Sequence, residues 1–495
     1  MNAASHPISP SPSRRIRRTA AVFLTLSLVG CSTTPNSEEM MDDVPMPMGW
    51  NNEIEENPVN EGATVSIETW WNVFEDPVLI ELIDEALTSN PDLLTTLSRI
   101  DQARAERGLE RAELFPTLNG GISGAGSRER NRDTDTTSSN ESYGASLDAS
   151  WEVDLFGRQQ KYLEASTFEL EATVEDYYYA QVSLAAEVAN TYLNIISSRK
   201  QLEILNESVA SREETLQVSE WQEAAGEGDV LATQQVKVLV EQARAQIPGY
   251  HQLIEESRNA LAVLCGTTPA NIEALLDQND SLPDVPAAIT IGIPAEVLRQ
   301  RPDVRSAEKT VEASIARLSA TEKSRLPSLT LSGSIGTEAA KAGDFFNPQR
   351  IFGNLVGGLT APIWDAGRIS RNIEIQRAVV DQAYFEFEAT VLEAMSEVEN
   401  ALSAINRKRE EIGILQRAVF SADLSARLAE FQYEEGEEDI LTVLETKRTL
   451  LGLAQTLVQS QQEEILAHIQ LYKALGGGWS APESFPTVAL EDTQS

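Results

Sequence analysis

From Arg158 to Ala225 the chain runs 68 residues without a proline or a glycine. A helix of that length spans roughly 100 Å at 1.5 Å per residue, far more than a compact domain needs. Within it Leu184, Val188, Ile195, Leu202, Leu205, Val209 and Leu216 fall on a or d positions of a heptad, interrupted by Thr191 and Ser198. Such a seam packs a long helix against other long helices rather than around one core. Val398, Ile405, Ile412, Leu415 and Val419 repeat it later in the chain.

The later seam belongs to a second copy of one unit. Asn90-Pro91-Asp92-Leu93 returns as Arg301-Pro302-Asp303-Val304, and Leu114-Phe115-Pro116-Thr117-Leu118 as Arg325-Leu326-Pro327-Ser328-Leu329, both offset by 211. Asp154-Leu155-Phe156-Gly157-Arg158 returns one residue shorter as Asp365-Ala366-Gly367-Arg368, which places the loss of a residue at that motif. From there the offset is 210: Glu187-Val188-Ala189-Asn190 against Glu397-Val398-Glu399-Asn400, and Gly266 against Gly476. Each half reads helix, two strands, long helix, turn, helix. The turns are Ala225-Gly226-Glu227-Gly228-Asp229 and Glu435-Gly436-Glu437-Glu438-Asp439, where Gly supplies a left-handed stop and Asp caps the returning helix. The spacing predicts repeat 1 over 63–286, with helices near 158–225 and 229–265. It predicts repeat 2 over 287–479, with helices near 368–435 and 439–475, and a tail over 480–495.

Strands are expected near 117–127, 143–155, 328–336 and 351–364. Tyr143, Ala145, Leu147, Ala149, Trp151, Val153 and Leu155 alternate with polar or small residues, a period of two long enough to cross a bilayer when tilted. The polar runs Ser127–Ser142 and Thr337–Arg350 are expected as loops. No apolar run reaches the ~20 residues of a spanning helix, so any crossing must use strands. An open sheet edge leaves backbone groups unsatisfied in lipid, and four strands cannot close alone, so several chains must pool them.

The N-terminus reads as an address. Arg14, Arg15, Arg17 and Arg18 precede a largely apolar run, Thr19 to Gly30, that ends Leu28-Val29-Gly30-Cys31. This resembles a lipobox, with 1–30 a lipoprotein signal peptide and Cys31 the lipid-attachment residue. Ser32 gives no inner-membrane retention signal. Residues 31–62, rich in Glu, Asp, Asn, Pro and Met, read as an acidic tether. Cys265, in Ala262-Val263-Leu264-Cys265, reads as a small buried apolar residue. The chain carries 77 acidic and 39 basic side chains. Loss of the leader's four Arg raises the imbalance to −42, which argues against a nucleic-acid surface. Three His and two Cys leave little for a metal cluster.

Trp70-Trp71-Asn72-Val73-Phe74-Glu75-Asp76-Pro77, Trp151–Arg158, Arg301–Arg305, Trp364–Arg368 and Leu471–Trp479 together resemble the TolC-type outer-membrane efflux proteins, in their lipoprotein branch. The resemblance implies an α+β membrane protein and a homotrimer. Three chains would form a 12-stranded outer-membrane β-barrel continued by an α-helical periplasmic barrel. It implies a passive exit duct for drugs or other small solutes, fed by an inner-membrane pump, RND-type, and a periplasmic adaptor. No cofactor is implied beyond the lipid on Cys31. The periplasmic aperture would map to Leu441 and Glu445, one helical turn apart, and the adaptor-contact tips to Gly226, Asp229, Gly436 and Asp439. The family often has Asp where this chain has Glu445.

Other classes compete. An outlet for type I protein secretion or lipo-oligosaccharide export would share the fold. A non-conducting coiled-coil lipoprotein would explain the helices but not the period-two segments. An enzyme is disfavoured: there is no Walker loop, HExxH, GxSxG or dinucleotide fingerprint, and His251 and His468 occupy non-equivalent repeat positions.

Overall fold

The computed structural model describes residues 67–479 apart from 227, 280, 286–293 and 345–349, together with Met40 and residues 49–52. The leader, Cys31, most of the 31–62 segment and the 480–495 tail lie outside the described residues. Within the expected tether, Glu399 accepts the backbone N–H of Asn51 at 2.6 Å and the side-chain amide of Asn52 at 2.9 Å, so these two residues lie against the folded body.

A 3-10 segment, Ile67–Phe74, leads into α1 (Pro77–Ser89) and α2 (Pro91–Ala112). Asp76 starts α1: its Oδ1 accepts the N–H groups of Val78 and Leu79, and a proline occupies the first turn, where its missing N–H costs nothing. Strands β1 (Thr117–Asn131) and β2 (Thr136–Val153) follow, then α3 (Arg158–Ala225), α4 (Val230–Arg244), α5 (Ile247–Leu264) and α6 (Pro269–Leu276). The second half has α7 (Pro294–Gln300), α8 (Pro302–Lys323), β3 (Ser328–Ala339), β4 (Arg350–Thr360), α9 (Arg368–Glu434) and α10 (Ile440–Ala474).

Both ends of α8 are offset by 211 from those of α2, and the ends of α10 by 210 from the start of α4 and the end of α5. In the sheet, Thr117 pairs with Ser150 and Ser328 with Thr360, offsets of 211 and 210. The single-residue difference therefore lies within the strand hairpins. It does not lie at the Asp154–Arg158 and Asp365–Arg368 motifs, where the sequence comparison put it. A hairpin tip absorbs a deletion without disturbing either flanking register.

Three boundaries differ from expectation. The strands run into the polar stretches read as loops, leaving Arg132–Asp135 as the β1–β2 turn with Asp135 at φ +51°. Their Ser and Thr residues suit a ladder exposed on both faces, where no apolar alternation is required. Strand β4 stops at Thr360, two residues before Pro362, which lacks the N–H that a ladder needs. The return helix expected over 229–265 is two helices. Pro248 cannot donate to the carbonyl four residues back and its ring crowds that position, so α4 ends at Arg244 and α5 begins at Ile247.

The main core forms midway along the long helices. Trp70, Trp71, Phe74 and Leu82 pack there on Val188, Tyr192 and Ile195 of α3, Leu402 and Ile405 of α9, and Ile469 and Tyr472 of α10. Trp70 stacks on Tyr472 with ring centroids 5.6 Å apart. Smaller clusters hold the two ends: Leu318, Ile373 and Val380 toward the sheet, and Val236, Ala429, Ile440, Val443 and Leu444 toward the turns. Of the seam residues, Leu184, Val188, Ile195, Leu205, Val209, Val398, Ile405 and Ile412 are buried, whereas Leu202, Leu216, Leu415 and Val419 are half-buried.

Candidate functional site

The sheet is antiparallel in the order β1-β2-β3-β4. Its register sorts the side chains by face. One face carries Leu118, Ile122, Tyr143, Ala145, Leu147, Ala149, Trp151 and Val153, with Leu329, Leu331, Ile335, Ile351, Leu355 and Leu359 beside them. The opposite face carries Asn119, Ser123, Ser146, Asp148, Ser150, Glu152, Thr330, Ser332, Ser334 and Asn354, interrupted by Phe352 and Val356. Leu118, Ile122, Leu355 and Leu359 are all exposed. A monomeric water-soluble sheet does not turn a continuous apolar face outward. From Tyr143 to Val153 the apolar stripe runs roughly 36 Å along the strand, or about 27 Å of height at a tilt near 40°, close to the apolar band of a membrane barrel. Among the described residues no helix is long and apolar enough to cross a membrane.

Each sheet-to-helix junction is capped by an aspartate. Asp154 accepts the N–H groups of Arg158 at 2.7 Å and Gln160 at 2.9 Å, and Gly157 turns the chain at φ +74°. Asp365 accepts from Ile369 at 2.7 Å and Gly367 at 3.0 Å. Those two backbone bonds hold its carboxyl below the usual carboxylate range. The Trp151–Arg158 and Trp364–Arg368 motifs are thus the corners where strand becomes long helix.

At the far end lie the turns. Gly226 and Gly436 are left-handed at φ +79° and +78°. Asp229 and Asp439 accept the N–H groups of Leu231 and Leu441, at 3.0 and 3.4 Å. All four are exposed. Leu441 and Glu445 lie in the first turns of α10 and line one groove with Leu231, Gln235 and Val238 of α4. Leu231 and Gln235 are their repeat counterparts. Glu445 is not a bare carboxylate: Arg448 sits 2.8 Å away on the same helix face, and both are well exposed. This pair changes the electrostatics expected from Glu445 alone, and the i,i+3 spacing is its signal in the sequence.

Sequence reasoning also missed a set of polar links beside the groove. Lys447 reaches Ser211 at 2.6 Å and pairs with Glu430. Tyr433 donates to Gln222 at 2.8 Å, and Arg212 to the Leu239 carbonyl at 2.9 Å. Burial, and then the nearby Arg448, push the Arg212 pKa down. These contacts join different helices, so no local spacing announces them.

A family model described as Outer membrane efflux protein matches residues 82–267 and 293–477, segments whose starts and ends differ by 211 and 210. The chain belongs to the outer membrane efflux protein family. It is 30% identical over 480 residues to the toluene efflux pump outer membrane protein TtgF of Pseudomonas putida, covering 95% of this chain and 98% of that one. It is 30% identical over 456 residues to the cation efflux system protein CusC of Escherichia coli, covering 92% and 97%. The solved outer-membrane channel OprN superposes with a TM-score of 0.80 at 28% identity, over 88% of this chain and 98% of that one. The chain is therefore the outer-membrane exit duct of an efflux system, and its sheet is the membrane part.

Proposed function

We propose that three copies pool their four strands into a 12-stranded barrel, continued by their long helices as one tunnel. The observation that carries this is the four-stranded sheet with one apolar and one polar face and two unpaired outer edges. In lipid those edges must pair, and further copies of the chain supply the strands. An acyl chain on Cys31 would hold each copy to the outer membrane. The duct works passively: a periplasmic adaptor and an RND-type inner-membrane pump deliver small solutes, and no covalent chemistry occurs in it. Relatives named for cargoes as unlike as toluene and cations share this fold, which supports a cargo chosen by the pump.

The tunnel narrows at Leu441 and Glu445. Three copies bring three apolar side chains and three Glu445–Arg448 pairs to one level, where a narrow apolar neck and fixed charge control ion entry. Gly226, Asp229, Gly436 and Asp439 form the exposed tips against which the adaptor seats. The test is single-channel recording in planar bilayers. Leu441→Ala should raise the resting conductance. Glu445→Ala should shift selectivity toward anions, because Arg448 is left without its partner. Unaltered conductance and selectivity in both variants would remove the constriction from this site, and no conductance in the parent would remove the duct. Gly436→Val should weaken adaptor capture in a pull-down; full capture would place docking elsewhere.

A further inference from the structure

Charge on the four strands is sorted by face. The register places Glu129, Asp148, Glu152 and Glu338 on the polar face, together with Arg350, which stands directly opposite Glu338. Arg128 and Arg130 fall on the other face, that of the apolar side chains, with Glu141 as its one carboxylate. Strands β3 and β4 put no charge on that face. In a chain with 77 acidic and 39 basic side chains, a face on which arginines outnumber acids is an exception.

Both arginines sit at the hairpin end of the sheet, away from the helices. Tyr143 closes the apolar stripe at that end, opposite Gly124, where an added Cβ would come 3.4 Å from the tyrosine Cδ1. Arg128 lies four residues beyond Gly124 and Arg130 six, about 13 and 20 Å along the strand, or about 10 and 15 Å of height at a tilt near 40°. The polar layer of a bilayer begins where its hydrocarbon ends, and a long arginine stem lets the charged head settle into it. Glu141, level with Gly126, lies between the tyrosine and Arg128. One carboxylate against two guanidinium groups leaves this rim cationic.

Each arginine also stands directly opposite a hydroxyl, Arg128 against Ser139 and Arg130 against Thr137, and all four residues are exposed. Among the described residues Arg128 makes no ion pair, and Arg130 pairs only with Asp135 of the turn, at 2.8 Å with both side chains open to water. So exposed a pair exchanges readily for a better anion. The planar guanidinium fork matches a phosphate group, and a hydroxyl beside it adds a further donor. We propose that this rim binds an acylated, phosphorylated glycolipid of the lipid A class in the outer leaflet. The two arginine–hydroxyl pairs take its phosphates, and Ile122 and Leu147 below them, both exposed on the same face, take its acyl chains. A free phosphate would gain only the polar contacts. The proposal rests on the barrel reading above, which turns the apolar face outward to lipid and the hairpin ends away from the periplasm.

The test uses the full chain, purified in mild detergent and titrated with diphosphoryl lipid A, with bound lipid counted by native mass spectrometry. Arg128→Gln combined with Arg130→Gln should weaken binding roughly tenfold, whereas Arg350→Gln, which removes a cation from the polar face, should change it by less than about twofold. Fully dephosphorylated lipid A should bind the parent no better than diphosphoryl lipid A binds the double variant. Equal binding by parent and double variant, an equal loss in Arg350→Gln, or undiminished binding of the dephosphorylated lipid overturns the rim site. Millimolar inorganic phosphate should leave lipid A in place; full displacement would make this a free-anion site and overturn lipid recognition. Should the double variant lose its assembly, Arg128→Gln alone carries the comparison. Mass measurement by light scattering separates the two levels of failure. A trimeric parent with no preference for the phosphorylated lipid removes the rim site and leaves the barrel standing. A monomeric parent overturns the pooled-strand reading itself.

Discussion

The two halves of this chain share a skeleton and differ in how they lock it. Asn90 and Arg301 are repeat equivalents, and each reaches across to the end of its own return helix. Asn90 donates to the Leu264 carbonyl and Arg301 to the Ala474 carbonyl, both at 2.8 Å and themselves equivalent. Asn90 does this as a neutral cap that also accepts the Leu93 N–H. Arg301 does it as a buried cation held by Asp303 and Glu397, at 2.7 and 2.8 Å. Gly266 and Gly476, also equivalents, let the chain pass closely at the same place. A Cβ on the first would lie 2.3 Å from the Ser89 carbonyl oxygen, and on the second 3.0 Å from Arg301 Cα. A fold can therefore keep one backbone clasp while changing the chemistry of the side chain that makes it.

The return helices differ more openly. In the first half Pro248 divides the return into α4 and α5, whereas α10 is continuous. Moving the break should have the largest effect on stability. Val458 is the counterpart of Pro248, and Val458→Pro should destabilise the assembly by at least about 3 kcal/mol, read from denaturation in detergent. Pro248→Ala should leave it nearly unchanged. Loss of similar size in both variants would show that the halves tolerate breaks equally.

Arg301→Ala should follow, at about 3 kcal/mol, because it strands two carboxylates beside the core; Asn90→Ala should cost about 1 kcal/mol. Equal losses would mean that the buried cation adds nothing to the clasp.

His468 offers a pH test of the same contrast, since its counterpart is Arg258, half-exposed and 3.4 Å from Glu273. His468 is fully buried, with Arg409 Nη2 3.5 Å from its Nε2. Burial first, and then the Arg409 charge, bring its pKa down to about 3. The unfolded chain binds this proton below about pH 6.5 and the folded chain does not. Its contribution to stability is thus fully present above that pH and fades as pH falls toward 3. The melting temperature of the parent should drop more steeply than that of His468→Gln between pH 6.5 and 5. Parallel curves would place the proton elsewhere.

The smallest stability effect belongs to the proposed neck. Glu445→Gln should alter melting by less than about 0.5 kcal/mol, because its bond to Arg448 is exposed, while the Leu231 and Gln235 counterparts carry no charge to compensate in conduction.

Much of the architecture was legible in the residues. The absence of breakers between Arg158 and Ala225, the Gly and Asp of the turns, and the alternation from Tyr143 to Val153 each act over a few neighbours, so spacing alone places helix, turn and strand. The constant offset then links the halves. Of the candidate site, the caps at Asp229 and Asp439 and the shared face of Leu441 and Glu445 could be read the same way. The helix break was equally open to reading, since Pro248 stands in plain view, but the expected span was set by the turn at Asp229 and by Gly266 alone.

What the chain determined by itself is periodicity and length: long coiled-coil helices, membrane-sized strands and a duplicated unit, all consequences of local sterics and side-chain pattern. Only the tertiary structure decided where the strand register shifts between halves, that Lys447 bridges Ser211 and Glu430, and that Arg301 takes over the task of Asn90. It also decided which of many apolar residues remain uncovered on the β1/α2 and β4/α9 edges. Those outcomes depend on groups far apart in sequence meeting in space, and no local rule encodes such meetings.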